Sequence, residues 1–243
     1  MRKPLLMIAT SLFSLSFLSP ARAETVHFTT EEYPPFNYRD GKTPVGAITD
    51  QVRKVMADIG VDYTITSMPW ARAYGQALSD PMTCAFATAH NEERDQLFQW
   101  VQPLLIDRSI LIKHSGSKVT ATTIGEARKY VVGTWRDDYT ETILRRNGFP
   151  RIDVGSDFKA SLKKLMSDRI DLMPISEFYF DKLKAEGNAV ERVVVLSQQP
   201  MAIACQKDFP RDLLNRMQTA LNALIADGTQ KQIFLKYGLH LGD

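Results

Sequence analysis

Cysteine is almost absent from these 243 residues, standing only at positions 84 and 205. Two residues so far apart make neither a Cys-x-x-Cys redox pair nor a zinc motif. The four histidines are scattered and never fall at a His-x-x-x-His spacing, so no metal site and no cofactor is expected. Gly-x-Ser-x-Gly is missing, and with it the usual sign of a nucleophilic serine. Gly41-Lys42-Thr43 looks like the end of a phosphate loop, but Phe36 stands where the first glycine of that motif belongs. After the first two dozen residues no apolar run reaches the length of a membrane span. A strong charge of one sign is lacking too. The formal net charge is +2, yet residues 1–23 hold three basic residues and no acidic one. The remaining 220 residues carry 27 basic and 28 acidic side chains, a net charge of −1. No basic stripe argues for a nucleic-acid partner. There is no fixed-period repeat, low-complexity tract or flexible linker.

What is present begins with an export signal. Arg2 and Lys3 form a basic start, residues 5–18 an apolar centre, and Ala21-Arg22-Ala23 a small-x-small cleavage site. Thr10, Ser11, Ser14 and Ser16 interrupt the apolar centre, which favours cleavage after Ala23 over retention as an anchor. The expectation is an exported, soluble protein, and the resemblance described below implies the periplasm. In an oxidising compartment Cys84 and Cys205 can form a disulfide; as small apolar residues they can equally be two buried thiols.

Along the rest of the chain strand patterns alternate with helix patterns, which places the fold in the α/β class. Residues 26–29 read as a strand. Glu31-Glu32-Tyr33-Pro34-Pro35-Phe36-Asn37-Tyr38 follows as a rigid aromatic loop, its backbone restrained by two prolines. Tyr33 and Phe36 either cap the core or form a stacking wall for a ligand. Ile48, Val52, Val55, Met56 and Ile59 share one face of a helix that Gly60 ends. Residues 63–66 are a strand, after which Met68-Pro69-Trp70-Ala71-Arg72 opens a second helix. Strands are expected at 84–88, 109–113, 130–133, 151–154, 170–173, 193–196 and 201–205. Helices are expected after 134–139, from Asp157, from Ser176-Glu177 and from Pro210, with a last one over 229–237.

The stretch 87–103 draws the most attention. A small-residue strand leaves at Thr88, Asn91 is placed to cap a helix, and Arg94 sits in that helix's first turn before an apolar run that Pro103 stops. A strand end followed by a helix start is where α/β proteins place ligands. An arginine there can grip a carboxylate through two parallel hydrogen bonds. Taken alone, residues 92–95 read better as one solvated turn than as a ligand site.

These features in order resemble the bacterial extracellular solute-binding proteins of family 3, the amino-acid-binding kind. The likeness rests on Tyr33-Pro34-Pro35-Phe36, the entry to the first helix at 46–50, and Pro69-Trp70-x-Arg72. It rests further on Glu93-Arg94 with Phe98-x-Trp100-x-x-Pro103, on Gly133 with Arg136, and on Leu221-x-x-Leu224 running to Asp227-Gly228. The resemblance implies a type 2 periplasmic binding protein fold, two α/β lobes closing on a ligand. Lobe one would take residues 24–107 and 200–243, lobe two 108–199, with crossings near 105–109 and 197–201. It implies that Arg94 holds an α-carboxylate, with Thr88 and the loop 134–137, containing Thr134 and Arg136, adding donors. Tyr33, Phe36, Trp70 and Arg72 would complete the ligand site. Where amino-acid binders place an aspartate for the α-amino group, this chain has Ser176, with Glu177 beside it, which points to an anionic solute that need not carry an amine.

The expected function is capture of a small anionic solute, amino-acid-like or carboxylate, for delivery to an ABC permease by a monomeric protein. The resemblance also admits an enzyme like cyclohexadienyl dehydratase, with Glu177 as its proton-transfer group, or a receptor read by a membrane sensor. No catalytic constellation supports the enzyme, so a binder is the reading taken forward.

Overall fold

The computed structural model describes residues 25–240, and the export signal expected at 1–23 lies outside the described residues. In chain order the elements are β1 (Val26–Thr30), β2 (Tyr38–Asp40), β3 (Thr43–Val45), α1 (Ala47–Ile59), β4 (Tyr63–Ser67), α2 (Trp70–Ser79) and β5 (Thr83–Ala89). There follow α3 (Glu92–Asp95), β6 (Gln99–His114), α4 (Ile124–Ala127), β7 (Val132–Trp135), α5 (Tyr139–Arg146), β8 (Ile152–Gly155) and α6 (Phe158–Met166). The chain ends with β9 (Met173–Ser176), α7 (Glu177–Ala185), β10 (Val190–Cys205), α8 (Arg211–Ala226) and α9 (Thr229–Lys236). Among the described residues no helix is long and apolar enough to cross a membrane.

A ribbon of two long antiparallel strands organises the molecule. β6 and β10 have 16 residues each and stay paired from one end to the other. At the rise of an extended chain that is on the order of 50 Å. β5 pairs with β10 only over 201–205, and β1 and β4 extend that end as parallel strands. β9 pairs with β6 only over 109–112, at the other end. Between them, around Asp107 and Arg108, the ribbon is two strands wide among the described residues. The β7–β8 pair joins the second end through the Gly133 N–H, which donates to the Leu172 carbonyl at 2.8 Å.

Each end has its own core. Val52, Val55 and Met56 of α1 pack with Met217, Leu221 and Leu224 of α8 against Phe28, Phe86 and Ile203. The C-terminal helices thus cover the same sheet end as the N-terminal ones. Leu111, Val132, Leu144 and Leu172 fill the other end. A third cluster spans the two, bringing Trp70 and Phe98 against Trp135, Phe158 and Tyr179. Cys84 and Cys205 are direct cross-strand partners on β5 and β10 and are bonded, Sγ to Sγ 2.06 Å. Of the two states open to them, the structure holds the disulfide.

Three strands differ from the sequence expectation. The runs expected at 193–196 and 201–205 are parts of the single strand β10, and 109–113 is only the second half of β6. Pro103 does not stop the extended chain, because it falls where the pairing is irregular. Met201 opposes Leu105 and Ile203 opposes Val101, so 102–104 face Ala202 alone and no regular ladder bond is asked of the proline. The strand expected at 170–173 lies at Met173–Ser176, on the sheet edge where Pro174 needs no partner on its outer side.

Candidate functional site

Between the two ends, beside the narrow part of the ribbon, lies a cavity of about 50 Å³. That is room for a few waters and not for a metabolite. The aromatic loop after β1 forms one wall. It is locked to α1 by three hydrogen bonds: Ala47 N–H to the Pro35 carbonyl, and Ile48 and Thr49 N–H to the Phe36 carbonyl. Gly46 makes this possible, since at φ 127° with its Cα against the Phe36 carbonyl no Cβ can be accommodated. Tyr33 is thereby pushed across to the far side. Its ring lies 4.4 Å from Phe158, 5.2 Å from Tyr179 and 6.3 Å from Trp135, centroid to centroid. Its hydroxyl accepts the Ser176 N–H at 2.9 Å.

Arg94 forms the second wall. Asn91 caps the four-residue helix α3 by accepting the Arg94 N–H at 3.1 Å, which fixes where the side chain leaves. The guanidinium is only 6% exposed and lies over the Tyr74 and Trp70 rings, 4.9 and 5.8 Å from their centroids. Its Nη2 donates to the Asp137 carbonyl at 2.6 Å, and the Trp70 indole donates to the same oxygen at 2.8 Å. One backbone oxygen from the far side therefore takes two donors from the near side. Two of the five guanidinium N–H groups are spoken for, by Asp137 and, at 3.4 Å, by the Ala89 carbonyl.

The remaining lining is acidic. Asp107, on β6, is 5% exposed and accepts the Ser176 hydroxyl at 2.6 Å. Burial lifts its pKa from 3.8 to about 7, against the pull of that hydroxyl and of the Arg108 N–H; Glu177 and Asp138 add repulsion. Asp138, 8% exposed, caps α5 by accepting the Thr140 N–H and hydroxyl, and burial raises its pKa as well. Glu31 is raised by burial and by Asp138. It keeps more accessible surface than the two aspartates despite its crowded surroundings, so most weight falls on Asp107 and Asp138.

Of the residues singled out in the sequence, the structure brings Tyr33, Phe36, Trp70, Arg94 and Ser176 to this cavity. It places five elsewhere. Thr88 turns its hydroxyl back to the Ala85 carbonyl, and Thr134 bonds Thr140. Arg72 and Arg136 are exposed, and the Arg136 N–H is spent on the Gly155 carbonyl. Glu177 pairs with Arg108 at 3.0 Å and with Arg192, off the cavity. The sequence reading did not single out Glu31, Asn37, Asp107, Ser109, Trp135 and Asp138 as site residues. Asp107 had a signal, a lone acid inside the apolar run Leu104-Leu105-Ile106, where an unpaired charge is costly unless it has a task. Among the described residues no group of His, Cys, Asp and Glu is arranged to hold a metal ion.

A carboxyl whose pKa is higher in the folded than in the unfolded chain favours folding while it keeps its proton, and loses that effect as pH rises. For Asp107 the window runs from about 4 to about 7. The stability of the protein without solute should therefore fall across it by up to about 1.4 kcal/mol per pH unit, or ~3–6 °C in melting temperature. Calorimetric melts between pH 4.5 and 7.5 check this against Asp107→Asn, whose curve should be flatter. Parallel curves would assign the slope to other groups.

The family model of bacterial extracellular solute-binding proteins, family 3, matches residues 18–240. No curated protein matches the chain. Solved structures align over nearly the whole chain. An ancestral arginine-binding protein bound to arginine is 20% identical at a TM-score of 0.79, over 89% of this chain and 98% of its own. A histidine kinase sensor domain with similarity to periplasmic binding proteins is 18% identical at 0.81, over 89% and 96%. The ancestral amino acid-binding protein AncCDT-1, a precursor of cyclohexadienyl dehydratase, is 16% identical at 0.77, over 88% and 95%. At such identities the likeness shows the fold, the α/β type 2 periplasmic binding protein fold.

Proposed function

Since the chain belongs to the bacterial extracellular solute-binding proteins of family 3, we propose that it captures a small carboxylate-bearing, amino-acid-like solute in the cavity between its two halves, in the periplasm, for delivery to an ABC transporter. Arg94 carries this reading: a buried guanidinium, stacked on two rings, with donors to spare and facing the cavity. A carboxylate is the group that such a fork fits best. In this reading residues 24–107 and 200–243 form lobe one and residues 108–199 form lobe two. The two-stranded middle of the ribbon is the hinge, since few contacts there resist bending. The small cavity volume fits a closed state, so the lobes part to admit solute.

A thermal-shift screen of amino acids, keto acids, dicarboxylates and aromatic acids tests the proposal, because a bound solute raises the melting temperature by mass action. A best hit without a negative group would sink it.

The enzyme alternative has Glu177 as its proton-transfer group, and this side chain is held between Arg108 and Arg192. Prephenate or arogenate incubated with the protein should be recovered unchanged, and Glu177→Gln should bind the screened solute within about threefold of the parent. Turnover that disappears in Glu177→Gln would establish the dehydratase instead.

A further inference from the structure

We propose that the two halves latch directly onto each other without solute, through Arg94 and Trp70 on the main chain of residue 137, and that acid shuts this latch while neutral pH releases it. The inference depends on the ribbon acting as a hinge and not on what the solute is.

The halves touch at several places. On one rim the Arg94 guanidinium and the Trp70 indole both donate to the Asp137 carbonyl, at 2.6 and 2.8 Å. Beside the ribbon the Ser176 N–H donates to the Tyr33 hydroxyl at 2.9 Å. On the surface Glu93 of α3 pairs with Arg146 of α5 at 2.8 Å. The Tyr33 ring sits among Phe158, Tyr179 and Trp135, and Phe36 meets Phe178 edge to face at 6.1 Å. The space left inside is about 50 Å³, too little for a metabolite, so these are contacts of protein with protein and none is routed through a bound molecule. A carboxylate that takes the Nη2 prong of Arg94 has to compete with Asp137 for it.

Shutting the latch also gathers acids. Glu31, from the loop after β1, faces Asp138 and Asp157 of the other half; Arg94 offsets them in part, and the Trp135 indole approaches without closing a hydrogen bond. Asp138 has Arg94, Tyr139 and the Thr140 N–H and hydroxyl around it. Asp107 lies between the Ser176 hydroxyl and the Arg108 N–H, with Glu177, Asp138, Tyr33 and Tyr139 completing its surroundings. Opening lets water reach these carboxyls and parts Glu31 from the two acids opposite; closing reverses both. Burial lifts the pKa of Asp107 to about 7 in the closed form, and Glu31 and Asp138 move in the same direction. In water an aspartate titrates near 4. The closed form therefore holds the extra proton. Its advantage is complete below about pH 4 and is lost as pH rises to about 7, by up to about tenfold per unit for each proton taken up. A solute that needs the open form should bind more weakly in acid to the same degree.

Hydrogen exchange followed by NMR reads the latch at two protons, the Trp70 indole N–H and the Ser176 amide, in protein unfolded and refolded to strip solute. Between pH 5 and 7, corrected for the intrinsic exchange rate, the protection of both should fall at least about tenfold, while the amides of α1, inside one half, keep theirs. The double variant Glu31→Gln, Asp107→Asn should keep the latch shut at pH 7, with a fall of less than about threefold. Trp70→Phe, which keeps a ring and deletes one of the two donors, should lower Ser176 protection at pH 5 about two- to tenfold. An unprotected Trp70 indole at pH 5 overturns the proposal, and so does protection that is the same at pH 5 and 7. The parent measurements decide even if a variant does not fold. No solute enters this experiment. If the screened acids fail to bind while the indole is protected, the carboxylate reading falls and the latch stands; if the indole is open at pH 5 and an acid binds, the reverse holds.

Discussion

Arg94→Ala is expected to weaken solute binding by two to three decades or more. The guanidinium is buried, so a solute carboxylate that loses it is left unpaired in a dry cavity rather than handed to water. Removing one partner of a buried charge pair costs roughly 3–5 kcal/mol, far above the value of an exposed pair. The loss has a second component here. Arg94 also donates to the Asp137 carbonyl across the cavity, so truncation weakens the contact that holds the two sides together. Arg94→Lys should restore only part of the affinity, because an ammonium cannot serve a carboxylate and that carbonyl with the same fixed fork. Titration calorimetry with the best ligand from the screen decides it. Binding by Arg94→Ala as tight as the parent's would remove Arg94 from the site.

Replacing both cysteines by alanine should lower stability by roughly 4–5 kcal/mol. The bond between Cys84 and Cys205 spans 121 residues, and in the chain-entropy model a loop of that size restricts the unfolded chain by about that much. For a domain of this size that is ~10–20 °C in melting temperature. The bond joins β5 to the terminal stretch of β10, so its loss should loosen the sheet end from which β5 leads into α3 and Arg94 before it affects β9. Urea unfolding of parent and double variant measures the difference. Thiol titration of the unreduced, denatured parent should find no free thiol, and two reactive thiols would discard the bond.

The sequence made local periodicity plain and distant pairing obscure. The face of α1, its end at Gly60 and the caps Asn91 and Asp157 were readable because each depends on residues within one or two turns. The length of β6 and β10 was not, since each strand is interrupted by proline and polar residues whose tolerance depends on a partner some hundred positions away. The site divides in the same way. Arg94 and the Tyr33–Phe36 loop stood out as large or rigid residues in a motif. Asp107 showed only as a lone acid beside an apolar run, and the burial that makes it notable is imposed by β9 and the aromatic loop. The serine at 176 stands where the resemblance calls for an acid. In space that serine bonds an acid from another strand.

The clasp at the Asp137 carbonyl has a consequence for how freely this rim can change. Its acceptor is a main-chain oxygen, so neither donor, Arg94 or Trp70, reads the side chain of residue 137. Position 137 is constrained in another way, by a φ of 59°, which glycine, asparagine and aspartate adopt at little cost and branched residues do not. Together with the exposed Arg136, it can therefore drift in charge and size within that short alphabet. Related chains could present quite different rims to whatever docks on them while keeping the same closing contact underneath.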